Sequence, residues 1–193
     1  VQNAQGDQSN LKTMSQKFVN DKEDLILAIA TPAAQSVAAE TQEIPILATA
    51  ITDYPEAGLV ESNEAPNVNL SGTSDRTPVK EQFALLKQIL PDVKKVGIMY
   101  NSSEANSEIQ ARSAIEACED LGLEYQEGTV TNVNDIQQVV QSIVGEVDAL
   151  YIPTDNTFAS AIPLVVSITD VEKVPVICGE NGMVKGGGLA TVG

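Results

Sequence analysis

Short apolar runs rich in valine, isoleucine and leucine alternate along this chain with longer stretches in which apolar residues recur at helical spacing. The apolar runs predict strands at Leu25–Ala30, Pro45–Ala50, Val93–Tyr100, Leu123–Val130, Asp148–Ile152, Val174–Cys178 and Leu189–Val192. The helical spacing predicts helices at Ser9–Val19, Pro32–Glu40, Pro78–Leu90, Glu104–Leu121, Val133–Val144 and Thr157–Val171. Such alternation, with strands that are apolar nearly throughout, is typical of an α/β protein whose parallel sheets are covered by helices on both faces.

One irregular stretch interrupts the alternation. Residues 53–72 hold prolines, glycines, acids and asparagines without a clear period, which predicts a loop or crossing segment. A two- to three-strand group precedes this stretch and a four-strand group follows it. We therefore predict two α/β lobes rather than one continuous sheet, with a glycine-rich turn at Gly182–Gly188 near the end.

Composition narrows the chemistry that this fold can perform. The 193 residues contain no histidine, which excludes Ser–His–Asp and Cys–His nucleophiles and histidine-ligated zinc. Acids outnumber bases by 27 to 11, for a net charge of −16, which argues against binding nucleic acid or an anionic membrane. Cys118 and Cys178 are too few for a four-cysteine zinc site, and we expect both to be buried and unpaired. The composition favours a binding protein over an enzyme, without metal or cofactor.

Polar residues follow the predicted strands, at the edge where parallel α/β sheets bind ligands. They carry small hydroxyls, amides or carboxylates rather than lysine or arginine, and several open a helix whose free N–H groups suit a carboxylate. The candidates from these strand ends are Thr31, Ala33, Thr52, Asp53, Asn101, Ser103, Glu104, Asp155, Asn156 and Glu180. Together they predict a site for a small zwitterion. Each is also a common residue at a helix cap or turn, so a structural role is the alternative for every one.

Longer motifs resemble a known family. They are Gly72–Asp75, Thr77–Gln82 (TPVKEQ), Val96–Ser107 (VGIMYNSSEANS), Ala149–Thr157 (ALYIPTDNT), Pro175–Val184 (PVICGENGMV) and Gly188–Gly193 (GLATVG). In this order, along nearly the whole chain, they resemble the substrate-binding proteins of ABC transporters of the tryptophan/tyrosine-binding type. The resemblance implies a type I periplasmic-binding-protein fold with two doubly wound parallel-sheet lobes. It also implies a monomeric, extracytoplasmic lipoprotein, anchored to the outer face of a bacterial membrane, that delivers a small solute to a membrane permease.

The same resemblance implies a division of the chain. Residues 1–70 would form a partial first lobe, 71–183 the second lobe, and 184–193 a strand that crosses back to the first lobe. Family members carry further strands and helices before and after this region. We therefore expect the chain to be a segment of a longer protein, with its first lobe incomplete.

The leading hypothesis is a receptor whose lobes close on an amino acid without changing it. The ligand carboxylate would bind the helix opened by Thr31–Ala33 and Thr52, and the ammonium would bind Asp155, Glu180 or both. Asn101, Ser103 and Asn106 would contact it from the second lobe. An aromatic side chain is implied by the resemblance alone. Two alternatives remain: an α/β enzyme that uses Asp155 and Glu180 as acid and base, and the ligand-sensing core of a transcriptional regulator.

Overall fold

The strands form two separate sheets in which every pairing is parallel. The computed structural model describes residues 1–193 and divides them into two units, Val1–Arg76 and Thr77–Gly193. The first unit comprises α1 (Gln8–Asn20), β1 (Ile26–Ile29), α2 (Thr31–Glu40), β2 (Ile46–Ile51) and β3 (Leu70–Ser74). Its sheet has the order β1-β2-β3, without an interruption between these strands.

The second unit has a four-stranded sheet of order β5-β4-β6-β7. Its elements are α3 (Val79–Ile89), β4 (Lys95–Asn101), α4 (Ala105–Leu121), β5 (Glu124–Val130), α5 (Ile136–Ile143), β6 (Ala149–Ile152), α6 (Asn156–Ser160), α7 (Ile162–Glu172), β7 (Val176–Cys178) and α8 (Asn181–Lys185). Short 3-10 turns flank α5. Wholly parallel sheets joined through helices confirm the α/β class. None of the helices combines the length and apolar character needed to span a bilayer.

Two apolar cores cover the two faces of the second sheet. Neighbouring residues of one strand point to opposite faces: Leu150 packs in the core formed with α5, α6 and α7, whereas Tyr151 packs in the core formed with α3 and α4. Cys118 and Cys178 are buried and unpaired in these cores, as predicted.

The first sheet buries only one of its faces. Ile26 and Ala28 point into a core with residues of α1 and α2, while Leu27, Ile29 and Leu47 on the other face are 58%, 61% and 46% exposed. The prediction of helices on both faces therefore holds for the second unit, but not for residues 1–76 of the first. The sequence pattern of an apolar strand is the same whether helices cover both faces of its sheet or only one.

Two strand predictions differ from the structure. Strand β3 begins inside the predicted loop 53–72 and ends at Ser74. Leu70 is the only buried residue of this strand, whose sequence contains no apolar run from which a strand could be predicted. Parallel pairing with β2 is what makes this segment a strand. At the other end, residues 189–192 form only a single parallel bridge, between Ala190 and Ile177. Here Gly188 is required because a Cβ at this position would lie 2.2 Å from Cys178 Sγ.

Two helix predictions also differ. The predicted helix Thr157–Val171 is split into α6 and α7 at Ala161, because the Pro163 ring cannot follow a continuous helical turn. The predicted turn at 182–188 begins with α8, where the Glu180 side chain caps the first N–H groups. The unit boundary lies after Arg76, so that β3 belongs to the first unit and residues 184–193 to the second. The crossing of 184–193 back to the first lobe stays a prediction.

A buried glutamine on α3 ties the last residues of the chain to the second unit. Gln82 is fully buried; its Nε2 donates to the carbonyls of Gly179 at 3.1 Å and Val192 at 2.8 Å. Its Oε1 accepts from the Tyr151 hydroxyl at 2.7 Å. One side chain therefore joins α3, β6, the end of β7 and the C-terminal segment.

Gln82→Leu keeps the volume of this side chain but leaves these three polar partners without it. We expect the free energy of unfolding of the full-length protein to fall by about 2 kcal/mol or more, because buried groups lose their hydrogen bonds. Urea denaturation measures the change. The matched control is Gln138→Leu on an exposed position of α5, expected to change stability by less than about 0.5 kcal/mol. Equal effects of the two substitutions would contradict the assignment.

Candidate ligand-binding site

The carboxyl edge of the first sheet is strained. Ala30, directly after β1, has φ 76° and ψ 153°, and Ala50, near the end of β2, has φ 57°. A residue with a Cβ adopts such angles at a cost of about 1–3 kcal/mol, and strain of this kind concentrates at functional sites. The ends of β1 and β2 are thus held in a conformation that their sequence does not favour.

Helix α2 starts from this strained position without a side-chain cap. Its first residue, Thr31, is 1% exposed, and the Thr31 hydroxyl has no hydrogen-bond partner. Leaving a buried polar group unpaired costs about 1–3 kcal/mol. Thr31 and Ala33 both lie in the first turn, where free backbone N–H groups and the helix dipole favour an anion. This end of α2 therefore suits a carboxylate.

The other two candidates of the first unit lie after β2. Thr52 is 3% exposed. Asp53 Oδ1 accepts from the backbone N–H of Glu56 at 2.9 Å, and its Oδ2 lies 2.9 Å from Arg76 Nη1. The carboxylate of Asp53 is thus engaged in a turn and in a half-exposed ion pair.

Sequence reasoning missed Tyr54, which supports this edge. Its buried hydroxyl donates to the Ala48 carbonyl at 2.9 Å, and the Thr73 carbonyl lies 3.2 Å away. Between Ala48 and Ile51 the register of β2 against β3 shifts. Gly72 on β3 allows the backbone of β2 to come close at this point, because a Cβ on residue 72 would lie 1.7 Å from the Ala48 oxygen. The sequence signal that could have indicated this supporting role is a tyrosine directly after a polar strand end.

The second sheet holds two buried carboxylates at its carboxyl edge. Asp155 is 1% exposed: its Oδ1 accepts from the N–H of Phe158 at 2.7 Å, and its Oδ2 accepts from the N–H of Asn101 at 2.6 Å. The side chain therefore caps α6 and also fixes the end of β4. These contacts support the structural alternative for Asp155.

Glu104, just before α4, is 3% exposed and binds the same short helix. Its Oε1 accepts from the Thr157 N–H at 3.1 Å and from the Thr157 hydroxyl at 2.8 Å. Its Oε2 lies 2.6 Å from Asn156 Nδ2 and 3.2 Å from Asn156 N. The two carboxylates together accept from the N–H groups of the first turn of α6.

Asn101 and Ser103 belong to the same network. Asn101 Nδ2 donates to the Thr157 hydroxyl at 2.8 Å, and Asn101 Oδ1 accepts from the N–H and hydroxyl of Ser103 at 2.8 and 2.7 Å. Asn106 Nδ2 donates to the Thr154 carbonyl at 2.8 Å. The structure thus brings together six of the predicted residues: Asn101, Ser103, Glu104, Asn106, Asp155 and Asn156.

Glu180 has a separate role at the end of β7. Its Oε1 accepts from the Met183 N–H at 2.7 Å, and its Oε2 accepts from the Gly182 N–H, so it caps α8. The charged neighbour of Asp155 is Glu104 rather than Glu180. The enzyme alternative paired Asp155 with Glu180, whereas the carboxylate that shares the first turn of α6 with Asp155 is Glu104.

Burial, together with the smaller effect of the nearby Glu104 carboxylate, raises the pKa of Asp155 to about 6. The N–H groups of Asn101 and Phe158 act against this shift by stabilising the ionised form. At pH 7 the network therefore holds Asp155 in its charged form at an energetic cost.

Comparison with known proteins identifies the family of this chain. A family model of ABC transporter substrate binding proteins matches residues 1–193. The chain belongs to this family. A tyrosine-binding protein of Clostridioides difficile is 43% identical over 192 residues, which are 100% of this chain and 56% of that protein.

Two solved structures are similar to this chain. An ABC domain of Streptococcus pneumoniae in complex with L-Trp superposes with a TM-score of 0.94 at 40% identity, covering 96% of this chain and 63% of that one. A leucine binding protein of Thermotoga maritima, 15% identical, covers 94% of this chain and 53% of that one with a TM-score of 0.67, and shows the fold alone. The fold is that of type I periplasmic-binding proteins, and the chain spans less than two thirds of these relatives.

The raised pKa of Asp155 predicts a pH dependence of stability. Between the ordinary pKa of 3.8 and about 6 the folded state binds more protons than the unfolded state, so unfolding free energy rises as pH falls. We expect the wild type to gain about 1 kcal/mol relative to Asp155→Asn between pH 7 and pH 5. Urea denaturation at both pH values measures this difference.

Asp148→Asn is the control for this titration. The backbone N–H groups of Lys95 and Lys94 lower the pKa of Asp148, so its titration lies below the range tested. The stability difference between the wild type and Asp148→Asn should stay constant from pH 7 to pH 5. A constant difference for Asp155→Asn as well would contradict the prediction.

Proposed function

We propose that this chain is part of the extracytoplasmic solute-binding component of an ABC importer, and that it binds an amino acid without chemical change. The observation that carries the proposal is the start of α2, where a buried Thr31 hydroxyl without a partner accompanies an uncapped helix end. An amino acid carboxylate would accept hydrogen bonds there from Thr31, from the Ala33 N–H and from Thr52. Membership of the substrate-binding family favours this role over the regulator alternative.

An aromatic amino acid is the proposed solute. The tyrosine-binding protein of C. difficile and the L-Trp complex from S. pneumoniae, both at least 40% identical to this chain, support it. We further propose a lipid anchor on the outer face of the membrane, a monomeric state and a permease as partner.

The hydrogen bonds and burial of the acidic side chains favour binding over acid–base catalysis. Each oxygen of Asp155 accepts a backbone N–H, and the side chain is 1% exposed, which supports a structural role for this carboxylate over a role as general acid or base. Glu180 likewise accepts two N–H groups of α8. If the protein is incubated with a bound amino acid and the solution is then analysed by NMR, the amino acid should be recovered unchanged.

Thr31→Val tests the carboxylate site because it removes the hydroxyl and keeps the shape. We expect the affinity of the full-length protein for L-tryptophan and L-tyrosine to fall about tenfold, the effect of losing one charged hydrogen bond. The melting temperature without ligand should not fall, since the lost hydroxyl has no partner in the chain. Isothermal titration calorimetry and thermal shift measure the two quantities.

Thr13→Val on the exposed side of α1 is the matched control and should leave affinity unchanged. A wild-type protein that responds to none of the common amino acids would overturn the proposed function. Wild-type binding with unchanged affinity in Thr31→Val would overturn the carboxylate site alone.

A further inference from the structure

One pair of neighbouring residues in the second unit has a chemistry that the binding role does not use. Asn181 is the only asparagine of this chain that is followed by glycine. Both Asn181 and Gly182 are exposed, and the Asn181 side-chain amide has no hydrogen-bond partner in the chain. The backbone nitrogen that follows an asparagine can attack the side-chain amide, and a glycine at that position has no Cβ to obstruct the approach. The pair is therefore open to this reaction on steric grounds.

The cap of α8 accounts for the glycine. Glu180 Oε2 accepts from the Gly182 N–H, and Glu180 Oε1 accepts from the Met183 N–H at 2.7 Å. A Cβ on residue 182 would lie 2.8 Å from Glu180 Oε2 and 2.9 Å from Glu180 Oε1, closer than nonbonded atoms approach. The carboxylate thus occupies the space that a side chain at position 182 would need. The glycine that gives the cap its room also makes Asn181 reactive.

The same cap opposes the reaction. The attack requires the Gly182 nitrogen to lose its proton and to move toward Asn181 Cγ, so the first turn of α8 must open. The hydrogen bond to Glu180 holds this N–H in place, and the negative charge of the carboxylate opposes loss of the proton. Helix α8 has five residues, too few to be stable by itself. The Glu180 cap is therefore the local interaction that restrains the nitrogen.

We propose that Asn181 is a site of spontaneous deamidation and that the Glu180 cap sets its rate. In this reaction the Gly182 nitrogen forms a bond to Asn181 Cγ, and the bond between Cγ and Nδ2 breaks. Nδ2 leaves as ammonia with the proton that the Gly182 nitrogen gave up. Water then opens the resulting succinimide ring at one of its two carbonyls. The products are an aspartate or, where the main chain continues through the side-chain carbon, an isoaspartate.

An isoaspartate at this position changes the second unit beyond its surface. It adds a carbon to the main chain directly after the capping residue, so the Glu180 carboxylate no longer faces the same N–H groups. Met183, which α8 places in the core at 1% exposure, follows shortly after in the chain. We therefore expect the modification to loosen α8 where it follows β7.

The test follows the Asn181 amide by peptide mapping and mass spectrometry while the folded full-length protein is kept at mildly alkaline pH. Synthetic peptides of residues 176–186, with and without the Glu180→Ala change, give the rates without the fold. Relative to its own peptide, Glu180→Ala should deamidate about fivefold faster than the wild type, the factor that corresponds to loss of a cap worth ~1 kcal/mol. Asn63, exposed and followed by Glu64, is the internal control and should keep its amide.

Equal relative rates in the two proteins would overturn the role of Glu180. An Asn181 amide that stays intact in both folded proteins, over the time in which the peptides react completely, would overturn the site. If Glu180→Ala fails to fold, Glu180→Gln replaces it, because glutamine keeps an acceptor oxygen and loses the charge. Glu180→Gln should also deamidate faster than the wild type, and an unchanged rate would contradict the inference. None of these measurements needs a ligand, so their outcome is independent of the proposed function.

Discussion

Two buried carboxylates, Glu104 and Asp155, hold the carboxyl edge of the second sheet together. Helix α6 has five residues, too few to be stable alone, and its first N–H groups are taken by these two side chains. The same acids reach the end of β4 through the Asn101 N–H and the amide of Asn106. Burying two negative charges is costly, and the donors gathered around them offset that cost. Asn101, Asn106 and Asn156 each donate a hydrogen bond to one of the two acids, and Ser103 joins the network through Asn101.

The first sheet shapes its edge by different means. It has no buried charge there; instead Ala30 and Ala50 adopt backbone angles that favour glycine, and Tyr54 supports the shifted register of β2. These features leave the start of α2 uncapped, next to a hydroxyl without a partner.

One face of the first sheet carries aliphatic side chains that no helix of residues 1–76 covers. Leu27, Ile29 and Leu47 belong to strands whose other face is fully packed, and yet they remain largely exposed in residues 1–76. In the second unit the corresponding positions are buried by helices on both faces. The two units therefore use the same α/β pattern with unequal amounts of buried apolar surface.

The α/β class, most strand and helix positions and the polar strand ends follow from local patterns, because side-chain period and helix caps act over a few residues. The binding-family assignment also follows from sequence, through motifs that run along the chain. The structure alone decided that β3 is a strand, that Glu104 rather than Glu180 neighbours Asp155, and that Thr31 and Asn106 keep polar atoms without partners. Glu104 and Thr157 lie 53 residues apart, and their hydrogen bond exists because β4 and β6 are neighbours in the sheet. Local periodicity carries no record of such pairings, which are set by the packing of the whole unit.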